Sequence, residues 1–255
     1  MTLVIRASVD MTNPAADTPM LPNLTDGLLA RWRASDISQG NNTDVFDWIA
    51  NGQGSSAFKH LTKSGDTAHL GTPKYFADGG PGGSPRVRFN NYTRLRTNNL
   101  QFYEGPKSIV ILLRPDSIFP EQSVAWPIVC GEPGYNFRIE KSSTGNWMVR
   151  ASDTNNFTVS AIPFVDDWMI AVIDLQQTSE SVTNAIFNVN GQSDTRQVNG
   201  TFAGIRNLAV GMTYTTTNPT YTMQGDMIEL LVFDRILTDI DRSAIFDLLK
   251  QTYNL

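Results

Sequence analysis

The sequence predicts an all-β protein, a two-sheet antiparallel sandwich with one short helix at its C-terminal end. Short runs rich in β-branched and aromatic residues recur along the chain. Clusters of Gly, Ser, Asn and Thr separate these runs at intervals typical of sandwiches. Only the last stretch has helical periodicity. With 255 residues, 40% of them hydrophobic and 18% charged, the chain has enough apolar material for a sizeable core.

The N-terminal part of the sequence differs from the rest. Residues 2–9 contain β-branched residues in rough alternation, which predicts a strand. Residues 10–23 contain three prolines and predict an extended linker, because proline cannot donate to a strand ladder. We therefore expect an arm and linker at 1–23 and a sandwich at 24–255. The arm either pairs with a neighbouring subunit or folds back onto its own sandwich.

The most continuous apolar run is Ser108–Arg114, which predicts a central strand buried on both faces. Residues 142–145 predict a hairpin turn, and Asn190-Gly191 predicts a tight turn. Further strands are predicted at 28–33, 45–49, 85–89, 94–96, 123–129, 136–140, 146–150, 157–162, 168–174, 185–189 and 207–211.

The predicted helix follows Thr238, whose hydroxyl can cap its first turn. Acidic residues at 239 and 241 favour the positive end of the helix dipole. Apolar residues then share one helical face, which should lie against the sandwich: Ala244, Ile245, Leu248 and Leu249.

Several segments, taken in order, carry a resemblance to a known group of proteins. They are GLLARWRASD from Gly27, VFDWIANG from Val45, PRVRFN from Pro85, GDMIELLVFDRILT from Gly225, and the terminal YNL from Tyr253. Together they resemble the concanavalin-A-like superfamily, especially its laminin-G-like members, although Ala50 and Asn51 depart from the pattern. The resemblance covers roughly 24–255 and implies a jelly-roll sandwich. Such domains occur in bacteriophage tail and other virion proteins, in carbohydrate-binding modules and in some glycoside hydrolases, so the ligand stays open.

Charge and cysteine usage exclude several classes of function. A net charge of −5 disfavours nucleic acid as a partner. The single cysteine, Cys130, allows no intrachain disulfide and is expected to be a small buried hydrophobe. Because side chains alternate along a strand, four arginines are predicted to lie on one face of a sheet. That face is either a basic patch or an ordinary solvated sheet face. The four are Arg86, Arg88, Arg94 and Arg96. No apolar run is long enough for a membrane span, and the first ten residues do not resemble a secretory signal.

The sequence predicts a protein without catalytic activity. Related glucanases use a Glu-x-Asp-x-x-Glu pattern, which this chain lacks. Glu229 and Asp234 are five residues apart and would face opposite sides of a regular strand, whereas retaining glycosidases need two close carboxylates. Asp166 and Asp167 are expected in a turn. His60 and His69 are expected at the surface, and no nucleophile elbow accompanies them.

No cofactor is predicted, and calcium is the one ion for which the loops offer candidate ligands. Loop oxygens of the kind that bind Ca²⁺ recur in two places, without the spacing of an EF-hand. The alternative is that these are solvated polar loops. The residues are Asp36, Asn41, Asn42 and Asp44, and Asp153, Asn155 and Asn156.

Aromatic side chains are the candidate ligand contacts, because their faces can stack on sugar rings. The candidates are Trp126, Tyr135, Trp147, Tyr214 and Tyr221, with ordinary core packing as the alternative for each. The polar loop 214–221, which has an aromatic residue at each end, is the expected contact surface. Trp32, Trp48 and Trp168 are assigned to the core.

The leading hypothesis is a non-catalytic structural or binding protein of a bacteriophage virion, located in the particle. The arm would attach it to other virion proteins or to copies of itself as a homo-oligomer, and the loops would contact protein or a host surface glycan. A free carbohydrate-binding lectin is the first alternative, and a glycoside hydrolase is the second.

Overall fold

A computed structural model describes residues 25–63, 71–90, 93–116, 126–131, 137–151, 156–211 and 223–255, with Trp126 and Pro127 described by their backbone only. The predicted arm strand at 2–9 and the linker at 10–23 lie outside these residues. No helix in the described part of the chain has the length and apolarity that crossing a membrane requires.

Strands make up most of the described secondary structure. They are β1 (Leu28–Arg33), β2 (Thr43–Asp44), β3 (Asp47–Ile49), β4 (His60–Thr62), β5 (Lys74–Phe76), β6 (Arg86–Phe89), β7 (Leu95–Arg96), β8 (Tyr103–Glu104), β9 (Lys107–Pro115), β10 (Trp126–Gly131), β11 (Phe137–Lys141), β12 (Asn146–Ala151), β13 (Phe157–Pro163), β14 (Met169–Ser179), β15 (Val182–Val189), β16 (Gln192–Asn199), β17 (Gly204–Ile205), β18 (Leu208–Val210) and β19 (Gly225–Phe233). The α-helices are α1 (Ser56–Lys59) and α2 (Asp239–Tyr253).

The strands form two large antiparallel sheets. The first sheet has the order β16-β15-β14-β9-β19-β6-β5-β2, and β1 also pairs with β19. The second sheet has the order β13-β12-β11-β10-β18-β7-β4-β3. A small pair, β8 and β17, stands apart. The predicted all-β sandwich with one C-terminal helix is therefore confirmed.

The main core lies between the two sheets. Trp32 and Trp48 are fully buried there, as predicted, whereas Trp168, also assigned to the core, is only partly buried against the apolar cluster on the other side of the first sheet. Their indole N–H groups donate to the backbone oxygens of Lys59 and Arg33, each at 2.9 Å, so these buried polar atoms are satisfied. Strand β9 is buried along both faces, which confirms the prediction for Ser108–Arg114.

Helix α2 covers the outer face of the first sheet. Ile245 and Leu249 pack with Val110 and Leu112 of β9 in a second apolar cluster. The helix starts as predicted: the Thr238 hydroxyl accepts from the Asp241 N–H at 3.2 Å, and the Asp241 carboxylate accepts from the Thr238 N–H at 3.0 Å. The apolar side chains on the outer faces of β9 and β19 are thereby removed from water.

Buried carboxylates tie both ends of α2 to the first sheet. Near its start, Arg242 donates to Asp174 at 2.6 Å; burial raises the pKa of Asp174 to about 6 although this arginine opposes the shift. At its end, the Tyr253 hydroxyl donates to Glu229 at 2.6 Å, and Arg31 pairs with the same carboxylate. Burial and the Glu229 charge raise the pKa of Tyr253.

The expectation that four arginines share one face is wrong. Arg86 and Arg88 lie in β6 of the first sheet, whereas Arg96 lies in β7 of the second, because the chain crosses between the sheets after β6. Arg86 and Arg88 are also not a free patch. Together with Arg114 they pair with Asp226, whose side chain is fully buried. This cluster holds β6, β19 and β9 together.

Replacing Asp226 by Asn should lower the free energy of unfolding by about 3 kcal/mol, because three guanidinium groups would lose their shared buried carboxylate. Urea unfolding of the wild type and the variant measures this. The matched control is Asp44→Asn, which removes a more exposed pair with Lys74 and should cost less than about 1 kcal/mol. Equal losses in the two variants would contradict the structural role of Asp226.

Candidate functional site

Of the five aromatic residues predicted to contact a ligand, the structure describes the side chain of Trp147 alone. Trp147 lies in the core with no exposed surface, its ring centre 4.8 Å from that of Phe164, so it presents no face to a ligand. It is in β12, and its side chain points between the sheets. Trp126 lies in β10, where only its backbone is described. The other three candidates and the 214–221 loop lie outside the described residues: Tyr135, Tyr214 and Tyr221.

A different group of side chains lies on the outer face of the second sheet, with Phe157 exposed and two arginines partly exposed. In the register of β11, β12 and β13, Arg138 is directly opposite Arg150, and Arg150 is directly opposite Phe157. Phe137 and Val149, the neighbours of these arginines along the chain, belong to the core. Because side chains alternate along a strand, Arg138, Arg150 and Phe157 share the outer face. We call these three residues the second-sheet strip.

The strip has one buried acidic group beneath it. Glu140 is 2% exposed, and its carboxylate accepts from Arg150 Nε at 2.6 Å, whereas Arg138 Nη1 is 3.9 Å away. Burial raises the pKa of Glu140, and the two guanidinium groups oppose the shift. One carboxylate therefore serves two arginines that stand directly opposite each other, an arrangement in which like charges repel.

The strip is also amphipathic. The Phe157 side chain is 50% exposed, and the Arg150 guanidinium carbon lies 5.0 Å from the centre of its ring. This distance is within the range of a cation–π contact, which does not use the N–H donors of the arginine. The strip thus presents an aromatic face beside guanidinium donors, with outward-facing positive charge.

The acidic residues considered for catalysis have structural partners. Glu229 is buried against Arg31 and Tyr253, on the helix side of the first sheet. Asp234 lies beyond the end of β19 and pairs with Lys107 at 2.6 Å. Asp167 accepts from the Trp168 N–H at 2.7 Å, within the turn expected there. None of these contacts joins two carboxylates in a hydrolytic pair.

Three of the calcium candidates in the described residues have protein partners. Asp36 pairs with Arg33 at 2.8 Å, Asp44 pairs with Lys74 at 2.5 Å, and the Asn41 side-chain oxygen accepts from the Ala77 N–H at 3.0 Å. No cluster of three His, Cys, Asp or Glu side chains suited to a metal occurs within the described ranges. Asp153 and Asn155 lie outside them.

The two histidines and the single cysteine were also considered as reactive groups. His60 Nδ1 is 2.9 Å from a carboxylate oxygen of Asp47 across the β3–β4 pair, at the partly exposed position expected. His69 lies outside the described residues. Cys130 is buried as predicted, and burial raises the pKa of its thiol, which keeps it protonated and unreactive.

No protein-family model matches this chain, and no curated protein matches it either. Similarity is found among solved structures. The binding domain of Paraclostridial Mosquitocidal Protein 1 matches with a TM-score of 0.57 and 13% identity over 88% of this chain and 52% of its own. An arabinofuranosidase complexed with arabinofuranosyl-alpha-1,2-xylobiose matches with a TM-score of 0.56 and 12% identity, over 89% of this chain and 60% of its own.

A sialidase of Trypanosoma rangeli in complex with sialic acid is also similar, with a TM-score of 0.54 and 13% identity over 88% of this chain and 33% of its own. This chain therefore spans between a third and three fifths of the length of these three structures. At such identities the likeness shows the fold alone, a sandwich of the jelly-roll kind. The narrower resemblance to laminin-G-like domains stays a prediction from the sequence motifs.

The two arginines of the second-sheet strip should contribute differently to the free energy of unfolding. Arg138→Gln should leave the free energy of unfolding unchanged or raise it by about 0.5 kcal/mol, because it removes one of two opposed positive charges. Arg150→Gln should lower it by about 1–3 kcal/mol, because buried Glu140 loses its close donor. Thermal and urea unfolding of both variants measure the difference. A loss above about 1 kcal/mol in Arg138→Gln would show that Arg138 has a structural role.

Proposed function

We propose that this chain is a non-catalytic binding module that contacts a saccharide through the second-sheet strip. One observation carries the proposal: an exposed Phe157 ring stands in register with Arg150 and Arg138 on the solvent side of a rigid sheet. The strip is not needed to close the core, since its side chains lie on the face opposite the packed one.

The chemistry of the strip suits a sugar. The apolar face of a pyranose can stack on Phe157, while guanidinium N–H groups donate to ring hydroxyls. Aromatic residues and arginine are also the types enriched where binding energy concentrates. Strands hold these side chains more rigidly than a loop would, which lowers the entropic cost of binding.

Absence of catalysis is part of the proposal. Asp226 and Glu229, the buried acids of β19, are each bound by arginine, and neither has a second carboxylate partner among its described contacts. A glycosidase needs one carboxyl group to act as an acid and a second to act as a nucleophile or base. Incubation of the protein with the saccharides it binds should therefore yield no cleavage products.

The virion placement is the finer part of the proposal and rests on the sequence. A predicted arm at 2–9 and a proline-containing linker at 10–23 suit attachment to a particle or to other copies of the chain. The sandwich would then present its second-sheet strip outward to a host surface glycan. Mass spectrometry of purified particles, and assembly of a chain lacking residues 1–22, test this placement.

Binding should depend on Phe157. On a glycan array, Phe157→Ala should weaken binding of the recognised saccharide by about tenfold or more, since the stacking face is lost. The matched control is Phe46→Ala, which removes a phenylalanine of similar exposure, 58% against 50%, next to β3 at the far edge of the same sheet. An unchanged affinity in Phe157→Ala, or equal losses in both variants, would refute this use of the strip.

A further inference from the structure

Arg138 stands out among the arginines whose contacts the structure gives. Its side chain is 37% exposed, it makes no side-chain hydrogen bond within the described part of the chain, and the acidic oxygen nearest to it is 3.9 Å away on Glu140. By contrast, Arg242 donates to Asp174, to Asp239 and to the Leu237 carbonyl, each at 2.6 Å. The guanidinium N–H groups of Arg138 therefore have no hydrogen-bond acceptor among the described residues.

Arg150, opposite it, is only partly used. Its Nε donates to Glu140 and its guanidinium carbon lies over the Phe157 ring, while its terminal nitrogens have no hydrogen-bond partner among the described residues. Directly opposed residues of antiparallel strands have Cα atoms about 4.5–5.5 Å apart. The two guanidinium groups can therefore both reach one small group placed above the sheet.

The charge of this part of the face is unbalanced. The described charged residues of β11 and β12 that share the outer face are Arg138 and Arg150 against Glu140 alone. This positive surface occurs on a protein whose net charge is −5. Opposed like charges that stability does not require are typical of functional sites, where local rules are broken for binding.

We infer that the saccharide bound by the second-sheet strip carries an oxyanion, a carboxylate or a sulfate or phosphate ester, held jointly by Arg138 and Arg150 while its ring stacks on Phe157. The inference rests on the proposed function and specifies its ligand class. Two guanidinium forks match the paired oxygens of such groups, and an anion would cancel the repulsion between the arginines. Saccharide is favoured over nucleic acid because a long polyanion would be repelled by the negative remainder of the protein.

Calorimetry with matched ligands tests the inference. An oligogalacturonate and its fully methyl-esterified form have the same sugar rings and differ in charge; sulfated and phosphorylated oligosaccharides beside their unmodified forms cover the other oxyanions. One of these anionic forms should bind at least about tenfold more tightly than its neutral counterpart, and added salt should reduce that preference.

Variants then locate the effect. Arg138→Gln, which is expected to fold as well as the wild type, should abolish the preference for the anionic form, and Arg150→Gln should do the same. Lys250→Gln removes an equal charge on the exposed face of α2 and should leave the preference intact.

The outcomes separate the two proposals. Equal binding of anionic and neutral forms, with both lost in Phe157→Ala, would overturn the oxyanion inference and leave the saccharide site standing. No binding of any saccharide would overturn both. Tighter binding of single-stranded DNA than of every anionic saccharide would also overturn the inference, in favour of a nucleic-acid site.

Discussion

The double-sided burial of β9 and β19 is the constraint on which the rest of the structure depends. Both strands are buried on the inner and the outer face and carry apolar side chains on each, so the first sheet needs a cover on each side. The second sheet supplies one and α2 supplies the other. Helix α2 therefore occupies the outer face of the central strands of the first sheet, whereas the partly exposed second-sheet strip lies on the outer face of the second sheet.

The cover is held by polar contacts as well as by apolar packing. Glu229 lies at a register shift in β19, where a bulge lets both it and Ile228 lie on the helix side. Asp174 and Arg242 perform the same task at the other end of α2. On the first sheet, buried carboxylates are therefore matched by enough donors. On the second sheet, Glu140 is the reverse case, with more positive charge around it than it can neutralise.

Sequence patterns predicted the strands with strong apolar character and the capped helix, because both depend on local chemistry. They did not predict β16, whose residues from Gln192 to Asn199 are mostly polar. This edge strand is exposed along most of its length, so no hydrophobic alternation marks it. The sequence patterns also did not predict that Arg86 and Arg96 lie in different sheets, because a crossover between sheets depends on how distant strands pair.

The candidate site was in part readable from the sequence. The turn at 142–145 sets Arg138 opposite Arg150, since a hairpin of known loop length fixes the register of its strands. The same alternation puts Trp147 on the face opposite Arg150, which argues against an exposed ring. What the sequence lacked was the pairing of β12 with β13, which brings Phe157 beside Arg150.

The most direct test of this account is to map the bound ligand on the protein by NMR. Backbone amide signals would be followed while an anionic oligosaccharide that binds in calorimetry is titrated in. The account predicts that shifts concentrate in β11, β12 and β13, around Arg138, Arg150 and Phe157, and are absent from α2. Shifts confined to α2 or to the Asp226 cluster of the first sheet, with the second-sheet strip unchanged, would contradict it.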